Sequence, residues 1–426
     1  MTSVPDTDAS GKMLAADGTP LKQSLNRALR RQKLRALALI APLLIFVLVS
    51  FVAPILDMLF RSVENQLISD NLPQTVVVLE DWDPSSGELP DEAVFEAFAG
   101  DLQVAISKKM HTRIGSRLNY EKPGMSSLFR KAGRQVKKWD IPNDGPYKEK
   151  FADLNKGFAD VEVWRTIKTY SGAYTNGYFL NSIDMQKGAE GPEARPENQR
   201  IYIMLFIRTL VMSLVITGSC ILLGYPVAWI LANLPSRTAN MLMILVLLPF
   251  WTSLLVRTSA WKVMLQQQGV VNDVLVWVGL VADDSRLALI NNQTGTIIAM
   301  THILLPFMIL PLYSVMQTIP ETYLRAAKSL GANNWTAFWR VYFPQSVPGI
   351  GAGSILVFIL SIGYYITPEL VGGTKGVFIS NRIAFHISSS LNWGLAAALG
   401  AILLTVVMAL YWAYDKIVGI DNVKLG

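Results

Sequence analysis

Side chains that could perform catalysis or bind a metal are few and widely separated in this sequence of 426 residues. Cys220 is the only cysteine and lies within an apolar run, so the sequence allows neither an intrachain disulfide nor a thiolate metal cluster. The three histidines are far apart, and a lone histidine is usually a structural residue. They are His111, His302 and His386. We therefore expect no metal site and no cofactor.

Two glycine-rich stretches could suggest nucleotide binding, but neither has the required spacing. Residues 372–376 (GGTKG) do not match the Gly-x-x-x-x-Gly-Lys-Ser/Thr loop that cradles phosphates. Gly349, Gly351 and Gly353 form no dinucleotide fingerprint, and small residues at this density let helices approach closely. We predict that this chain is not an enzyme.

The composition indicates a chain that is solvated largely by lipid. Hydrophobic residues make up 51% of it and charged residues only 16%, against roughly 25% charged residues in soluble domains. A membrane-spanning helix needs ~20 mostly apolar residues, and six runs satisfy that requirement. The predicted spans are 36–60, 203–231, 240–261, 294–317, 350–371 and 394–414.

Charge near the apolar runs predicts the orientation of these spans. Residues 1–35 are rich in lysine and arginine toward their end, which places them in the cytoplasm, and an even number of spans brings the other terminus to the same side. The first run is too long for a cleavable signal peptide, so we interpret it as a retained anchor.

Residues 1–20 are small and polar, and we expect them to be disordered. The net charge of +6 sits beside apolar runs, which excludes a nucleic-acid-binding face.

A long polar insert separates the first two predicted spans. Residues 62–200 hold 18 Lys/Arg and 21 Asp/Glu and lie outside the membrane on this topology. The stretches 92–110 and 126–139 are typical of amphipathic helices, and prolines mark turns between them. Five aromatic residues could supply a small core: Trp139, Phe151, Phe158, Trp164 and Tyr170. We expect a small folded domain rather than a linker.

The segment 320–344 combines helix signals with an apolar face between two predicted spans. Pro320 suits a helix start, Gly331 suits the left-handed residue that ends a helix, and Asn334 could cap a second helix that runs to Pro344. Trp335, Phe338 and Trp339 form an aromatic stripe on that second helix. Because the segment is too polar to span and too apolar to stand free in water, it requires a partner surface or the headgroup region.

This segment resembles the EAA loop of ATP-binding-cassette (ABC) importer permeases. The resemblance rests on Ala326, Ala327, Gly331, Ala332 and Pro344, with Phe338, Val341, Pro348 and Gly349 around them. In that family the loop forms a coupling helix that fits a groove of the ATPase subunit. The closure of the ATPases is transmitted to the permease as a rigid-body push, which requires a short, stiff helix. Arg325 stands where the family has glutamate, and Glu321, one turn earlier, could substitute for it.

Further blocks resemble the spermidine/putrescine branch of these permeases. They are residues 224–228, 248–258, 269–272 and 367–373. The resemblance implies an all-α polytopic membrane protein with six transmembrane helices of the type I ABC importer permease fold and a large extracytoplasmic insert between helices 1 and 2. It divides the chain into a basic cytoplasmic tail (1–35), helix 1 (36–61), a periplasmic insert (62–200), a five-helix core with its coupling helix (201–417, with 320–344) and a cytoplasmic tail (418–426).

A polyamine is a row of ammonium groups, so its path should offer carboxylates and aromatic faces. Asp57 lies near the outer end of the first span, and Glu369 lies with Tyr364 and Tyr365 near the outer end of the fifth. Helix capping, interfacial anchoring and ion pairs with Arg61 or Lys375 explain these residues equally well. We expect Arg257 to snorkel outward, although it could instead pair with one of the acids.

The resemblance also implies a set of partners in a bacterial inner membrane. One chain presents one coupling helix, so two ATPase subunits require a second permease subunit, homologous or identical, and a periplasmic substrate-binding protein delivers the small solute. Related permeases move opines, amino acids, iron or other solutes, so the substrate stays open. An ion-gradient-driven secondary transporter or channel is the main alternative, but we find no inverted repeat and no ionisable residue at mid-depth. A purely structural membrane protein is a further alternative.

Overall fold

The computed structural model describes residues 21–141, 143–188 and 191–418. Residues 1–20, which we expect to be disordered, lie outside this range. Most of the predicted tail 418–426 lies outside it as well. The described chain divides into two compact units, Met1–Phe60 and Arg61–Gly426. The insert and the five-helix core belong to the same unit.

The N-terminal unit is one long helical segment. It comprises α1 (Leu21–Val47), a π-helical turn (Leu48–Val52) and α2 (Ala53–Arg61). Residues 29–61 are long and apolar enough to cross a membrane, and their hydrophobic side chains are exposed. The apolar exposure suits a lipid environment, as the sequence predicts.

The insert is a small helical domain with its own hydrophobic core. Its helices and strands are α3 (Gln66–Ser69), α4 (Pro73–Glu80), α5 (Glu92–Ser107), α6 (His111–Asn119), α7 (Met125–Gln135), α8 (Tyr147–Leu154), α9 (Val161–Thr169), α10 (Gly177–Ser182), β1 (Met185–Lys187) and β2 (Pro192–Ala194). The two strands pair antiparallel. Phe98 packs against Phe129, Phe151 and Trp164, all buried. The two predicted amphipathic helices and the predicted aromatic core are therefore confirmed, with Trp139 at the edge of that core.

The core is built from long apolar helices and shorter helices between them. They are α11 (Tyr202–Asn233), α12 (Ser236–Leu247), α13 (Leu254–Met264), α14 (Val270–Trp277), α15 (Gln293–Gln317), α16 (Glu321–Ser329), α17 (Asn334–Ala337), α18 (Phe343–Gly363), α19 (Ile366–Val371), α20 (Ile379–Ser388) and α21 (Trp393–Val418). Helices α11, α15 and α18 pack together. Gly349 and Gly353 of α18 permit this because a Cβ at either position would meet α15.

The predicted count of six spans is confirmed when the third is taken as a bent pair. Five helical segments in the described chain could each cross a membrane, and α12 with its 3₁₀ turn forms a sixth together with α13. This pair is bent by 93° where Ser253 caps the second helix. The helix of the span predicted at 240–261 is thus interrupted, by Pro249 and by the Ser253 cap.

The predicted end of the fifth span, 350–371, is wrong. The helical segment that contains its start runs from Asn334 to Gly363 and so ends before residue 371. Pro344 does not end the helix, because a π-helical turn (Phe338–Tyr342) precedes it and places it in the first turn of α18, where no N–H is required. Tyr364 then becomes extended, and α19 follows as a separate short helix.

The insert is joined to the core by polar contacts at the start of α11. The Asp184 carboxylate accepts hydrogen bonds from the backbone N–H groups of Ile201, Tyr202 and Ile203 at 2.9, 3.0 and 2.8 Å. These are N–H groups that the first turn of a helix cannot pair by itself. The Tyr202 hydroxyl lies 3.0 Å from Nε2 of His386 in α20. The insert is thus fixed to the helix that follows it.

Candidate functional site

The segment from α16 to the start of α18 is a helix–turn–helix whose turn is closed by a Schellman motif. Gly331 adopts φ +91°, as predicted for the residue that ends α16. Its N–H donates to the carbonyl of Lys328, and the N–H of Ala332 donates to the carbonyl of Ala327, both at 3.0 Å. Asn333, not Asn334, caps α17, since its side chain accepts a hydrogen bond from the Thr336 N–H at 2.8 Å. We call residues 321–344 the coupling segment.

The outer face of the coupling segment exposes large apolar side chains. Leu330 is 89% exposed and Trp335 is 71% exposed, while Tyr323 and Trp339 expose about half of their surface. The rings of Trp335 and Trp339 meet edge-to-face at 5.6 Å. A contiguous exposed patch of this kind marks an interaction surface. Tyr323 and Leu330 were missed among the predicted site residues, and the position of Leu330 immediately before the turn glycine is the signal that could have revealed it.

The inner face of the coupling segment holds it against the membrane core. Phe338, predicted to share one stripe with Trp335 and Trp339, turns inward instead, and its ring stacks with that of buried Tyr342 at 5.9 Å. Phe338 also meets the ring of Tyr225 in α11 at 6.2 Å. The Tyr225 hydroxyl lies 2.9 Å from Ser346 Oγ in α18. A displacement of the outer face would therefore reach α11 and α18.

An apolar cavity of about 490 Å³ lies beside this contact. It is lined by Tyr225, Pro226, Trp229, Asn334, Trp335 and Phe338. Trp335 belongs to both the cavity wall and the exposed patch. The outer face of the coupling segment is therefore concave at this point and suits a protruding apolar side chain.

Two of the four charged residues of the coupling segment, Glu321 and Arg325, pair with each other. Arg325 forms an ion pair with Glu321 one helical turn earlier, and both side chains are about three-quarters exposed. Exposed pairs of this kind contribute little to stability. The remaining predicted residues lie along the same segment, with Ala326 and Pro344 exposed and Ala327 and Ala332 partly buried. Apolar shape, more than charge, distinguishes this surface.

The structure brings three of the four predicted substrate-path residues together around Asn381 of α20. The Asn381 amide donates to the carboxylate of Glu369 at 2.7 Å and to the backbone carbonyl of Tyr365 at 2.8 Å. Ser380 donates to the backbone carbonyl of Tyr364 at 2.7 Å. Glu369 and Tyr365 are exposed. The fourth residue, Asp57, lies exposed on α2 in the N-terminal unit.

Arg257 is positioned differently from the prediction. It is partly buried on α13, and its Nε and Nη1 atoms are buried without a hydrogen-bond partner in the part of the chain that is described. Outward snorkelling is therefore wrong, and no ion pair with an acid is formed there. His302 accepts a hydrogen bond from the Trp261 indole at 3.0 Å.

The other predicted absences concern metal ligands. Among the described residues, no group of three His, Cys, Asp or Glu side chains could hold a metal ion. His111 lies in the insert, and His386 lies between Tyr202 and Ser390, with its Nδ1 atom 2.8 Å from Ser390 Oγ. Cys220 is buried within α11.

Residues 224–418 match the family described as binding-protein-dependent transport system inner membrane component. The chain is 36% identical over 221 residues to the spermidine/putrescine transport system permease protein PotB of Escherichia coli, covering 51% of this chain and 79% of that protein. It is 33% identical over 262 residues to the inner membrane ABC transporter permease protein YdcU of Escherichia coli, covering 59% and 82%.

A crystal structure of a bacterial alginate ABC transporter, in complex with a periplasmic protein that carries an alginate pentasaccharide, also matches. The identity is 20% with a TM-score of 0.41, over 51% of this chain and 78% of that one. The family match, residues 224–418, begins after the insert. It includes the coupling segment and the residues around Asn381.

Proposed function

This chain belongs to the family of binding-protein-dependent transport system inner membrane components, the permease subunits of ABC importers, and from that premise we propose its function. We propose that it carries a polyamine-like solute across the membrane. The transport is driven by ATPase subunits that bind the coupling segment. It is a multi-pass inner-membrane protein, and its family implies an ATPase and a substrate-binding protein as partners. The observation that carries the proposal is the exposed apolar patch of Leu330 and Trp335 on a segment anchored to α11 and α18.

The proposed mechanism transmits the closure of two ATPases to the transmembrane helices. With both termini in the cytoplasm, the coupling segment faces the cytoplasm as well. A push on Trp335 and Trp339 passes through Phe338 to Tyr225 of α11, and through the continuous helix to α18. Because packed helices move as rigid bodies, a short displacement at the segment reorients the path between its two faces. A second permease subunit supplies the second coupling segment.

The proposed solute is assigned from the site around Glu369 and from the similarity to the PotB proteins. Glu369 offers an exposed carboxylate whose position is held by Asn381, and Tyr365 next to it offers an exposed ring. This pair suits an ammonium group through charge and cation–π contact. The related PotB proteins are named for spermidine and putrescine. We propose that Glu369, Tyr364 and Tyr365 line the solute path.

The single buried cysteine makes the ATPase contact directly testable. Leu330→Cys introduces an exposed thiol at the tip of the coupling segment, whereas Cys220 is buried. We expect a thiol-specific crosslinker to join this variant to the co-expressed ATPase. Leu280→Cys, at a position that is 72% exposed after α14, is the matched control and should give no such product. Equal crosslinking of both variants, or of neither, would contradict the assignment of the segment.

The solute is tested separately. We expect the cognate substrate-binding protein to bind spermidine or putrescine, and unlabelled polyamine to compete with labelled polyamine for uptake by the complex. If instead an amino acid or an opine binds and competes, the polyamine assignment is wrong while the importer assignment stands.

A further inference from the structure

A cleft of about 480 Å³ lies where the insert meets the last part of the core, away from the coupling segment and from Glu369. Its walls come from residues 61–67, from α6, from Tyr178 of α10 and from the loop 389–394 between α20 and α21. Its volume falls in the range of small-molecule sites, which measure roughly 300–1,000 Å³. None of the proposed transport steps uses it.

Three buried side chains that line this cleft each carry a polar atom without a partner among the described residues. These atoms are Arg117 Nη2, Asn392 Nδ2 and Asn65 Oδ1, and their residues are 6%, 8% and 3% exposed. Leaving a buried polar group unpaired costs on the order of 1–3 kcal/mol, and more for a charged one. Three such atoms beside one cleft form an unusual concentration.

The hydrogen bonds made by the other atoms of these side chains show whether each unpaired atom is a donor or an acceptor. Arg117 donates from Nε to the Tyr178 hydroxyl at 2.8 Å and from Nη1 to Glu121 at 2.7 Å, so Nη2 keeps its donors. The Asn65 amide nitrogen donates to the backbone carbonyl of Tyr170 at 2.6 Å, so its oxygen is the spare acceptor. Asn392 Oδ1 accepts from the Leu395 N–H at 3.2 Å, so its amide nitrogen is a spare donor. Two donor groups and one acceptor beside the cleft are therefore without a hydrogen-bond partner among the described residues.

The charge of the lining favours an anion. Arg113 and Arg117 line the cleft, against one acid, Glu64. Glu121, which balances Arg117, does not line it and is shared with Arg195 at 3.0 Å. Arginine and amide donors together suit a carboxylate, while the Asn65 oxygen suits a donor on the same molecule.

We propose that this cleft between the insert and the α20–α21 loop binds a small carboxylate that carries a hydroxyl or amino group of its own. The carboxylate accepts hydrogen bonds from Arg117 and Asn392, and the donor group pairs with Asn65. Since Arg117 and Asn65 belong to the insert side and Asn392 to the core side, the bound molecule ties the two together. The site is distinct from the solute path, so it neither depends on the polyamine assignment nor supports it.

The test is calorimetry on the full chain in lipid nanodiscs with three probes of similar length: 2-hydroxyglutarate, glutarate and putrescine. We expect 2-hydroxyglutarate to bind one molecule per chain, glutarate to bind more weakly because it lacks the hydroxyl donor, and putrescine not to bind in the cleft. Asn392→Leu should weaken 2-hydroxyglutarate binding about tenfold or more, because it removes a donor to a charged group. Arg113→Gln, an exposed position on the cleft wall, should also weaken it.

Arg130→Gln is the matched control, because it removes the same charge from an exposed position on α7 that does not line the cleft. It should bind like the wild type. Absence of binding for all three probes would overturn the proposal, and so would equal binding by the wild type and both cleft variants. Displacement of 2-hydroxyglutarate by putrescine would overturn the preference for an anion. If Asn392→Leu melts early, Arg113→Gln alone decides: undiminished binding by it contradicts the site.

Discussion

Truncation of Trp335 to alanine is expected to weaken ATPase binding without disturbing the transmembrane core. Trp335 is 71% exposed in the isolated chain, and its ring contacts Trp339 and the apolar cavity beside α11. A tryptophan buries ~150–250 Å² when it is covered, so on the order of 150 Å² of this side chain awaits a partner. At about 25 cal/mol per Å² this area corresponds to roughly 4 kcal/mol of burial.

Ordering of the interface offsets part of that gain. We therefore expect Trp335→Ala to weaken the affinity for the ATPase by about 2–3 kcal/mol, which is roughly a 30- to 150-fold increase in Kd. The assay is biolayer interferometry between the permease in nanodiscs and the purified ATPase. Trp277→Ala, at an 86% exposed position on α14, is the matched control and should leave Kd unchanged.

Two results would refute this reasoning. A Kd for Trp335→Ala within twofold of the wild type would show that the exposed patch is not the docking surface. An equal loss in Trp277→Ala would show that the effect is not specific to the coupling segment. The melting temperature of each variant distinguishes lost contact from lost fold.

The remaining predictions concern the turn, the solute path and the junction with the insert. Gly331→Pro should abolish co-purification of the ATPase but not membrane insertion, because proline cannot adopt φ +91° and lacks the N–H that bonds Lys328; normal co-purification would count against it. Glu369→Gln, which keeps an acceptor for Asn381 but loses the charge, should raise the KM for polyamine uptake about tenfold, and an unchanged KM would remove Glu369 from the path. Asp184→Ala should destabilise the junction by about 2 kcal/mol or more, seen as a lower Tm, since three N–H groups of α11 lose their acceptor. Burial, together with the nearby Arg382 charge, lowers the pKa of His386 to about 4, so the unfolded chain takes up the proton first. Its neutral folded form should therefore lose up to about 3 kcal/mol of stability as pH falls from 6.5 to 4, and His386→Gln should show a flatter dependence of Tm on pH in that window.

Local chemistry explains what could be predicted from the sequence. The turn at Gly331 follows from the need for positive φ after a helix, and the apolar spans follow from length alone. The cap at Asn333 was misplaced by one residue because two asparagines stand side by side and either can accept from the following N–H groups. Pro344 was misjudged because a single π-helical turn shifted it to a tolerated position.

Long-range contacts account for what could not be predicted. The inward turn of Phe338 depends on the ring of Tyr225, more than a hundred residues away, and no periodicity reveals it. The hydrogen bonds that Ser380 and Asn381 donate to Tyr364, Tyr365 and Glu369 require α20 to fold back onto these residues. The cleft at the junction likewise combines Arg117 with Asn392, which no local pattern relates. The family resemblance predicted the core but gave no information about the insert.

The most direct test of the central claim is uptake of labelled polyamine into proteoliposomes that contain the permease complex with and without its ATPase. We expect uptake only when ATP, the ATPase and the substrate-binding protein are all present, and a loss of that uptake in Trp335→Ala. Uptake that persists without the ATPase and follows an ion gradient would contradict it.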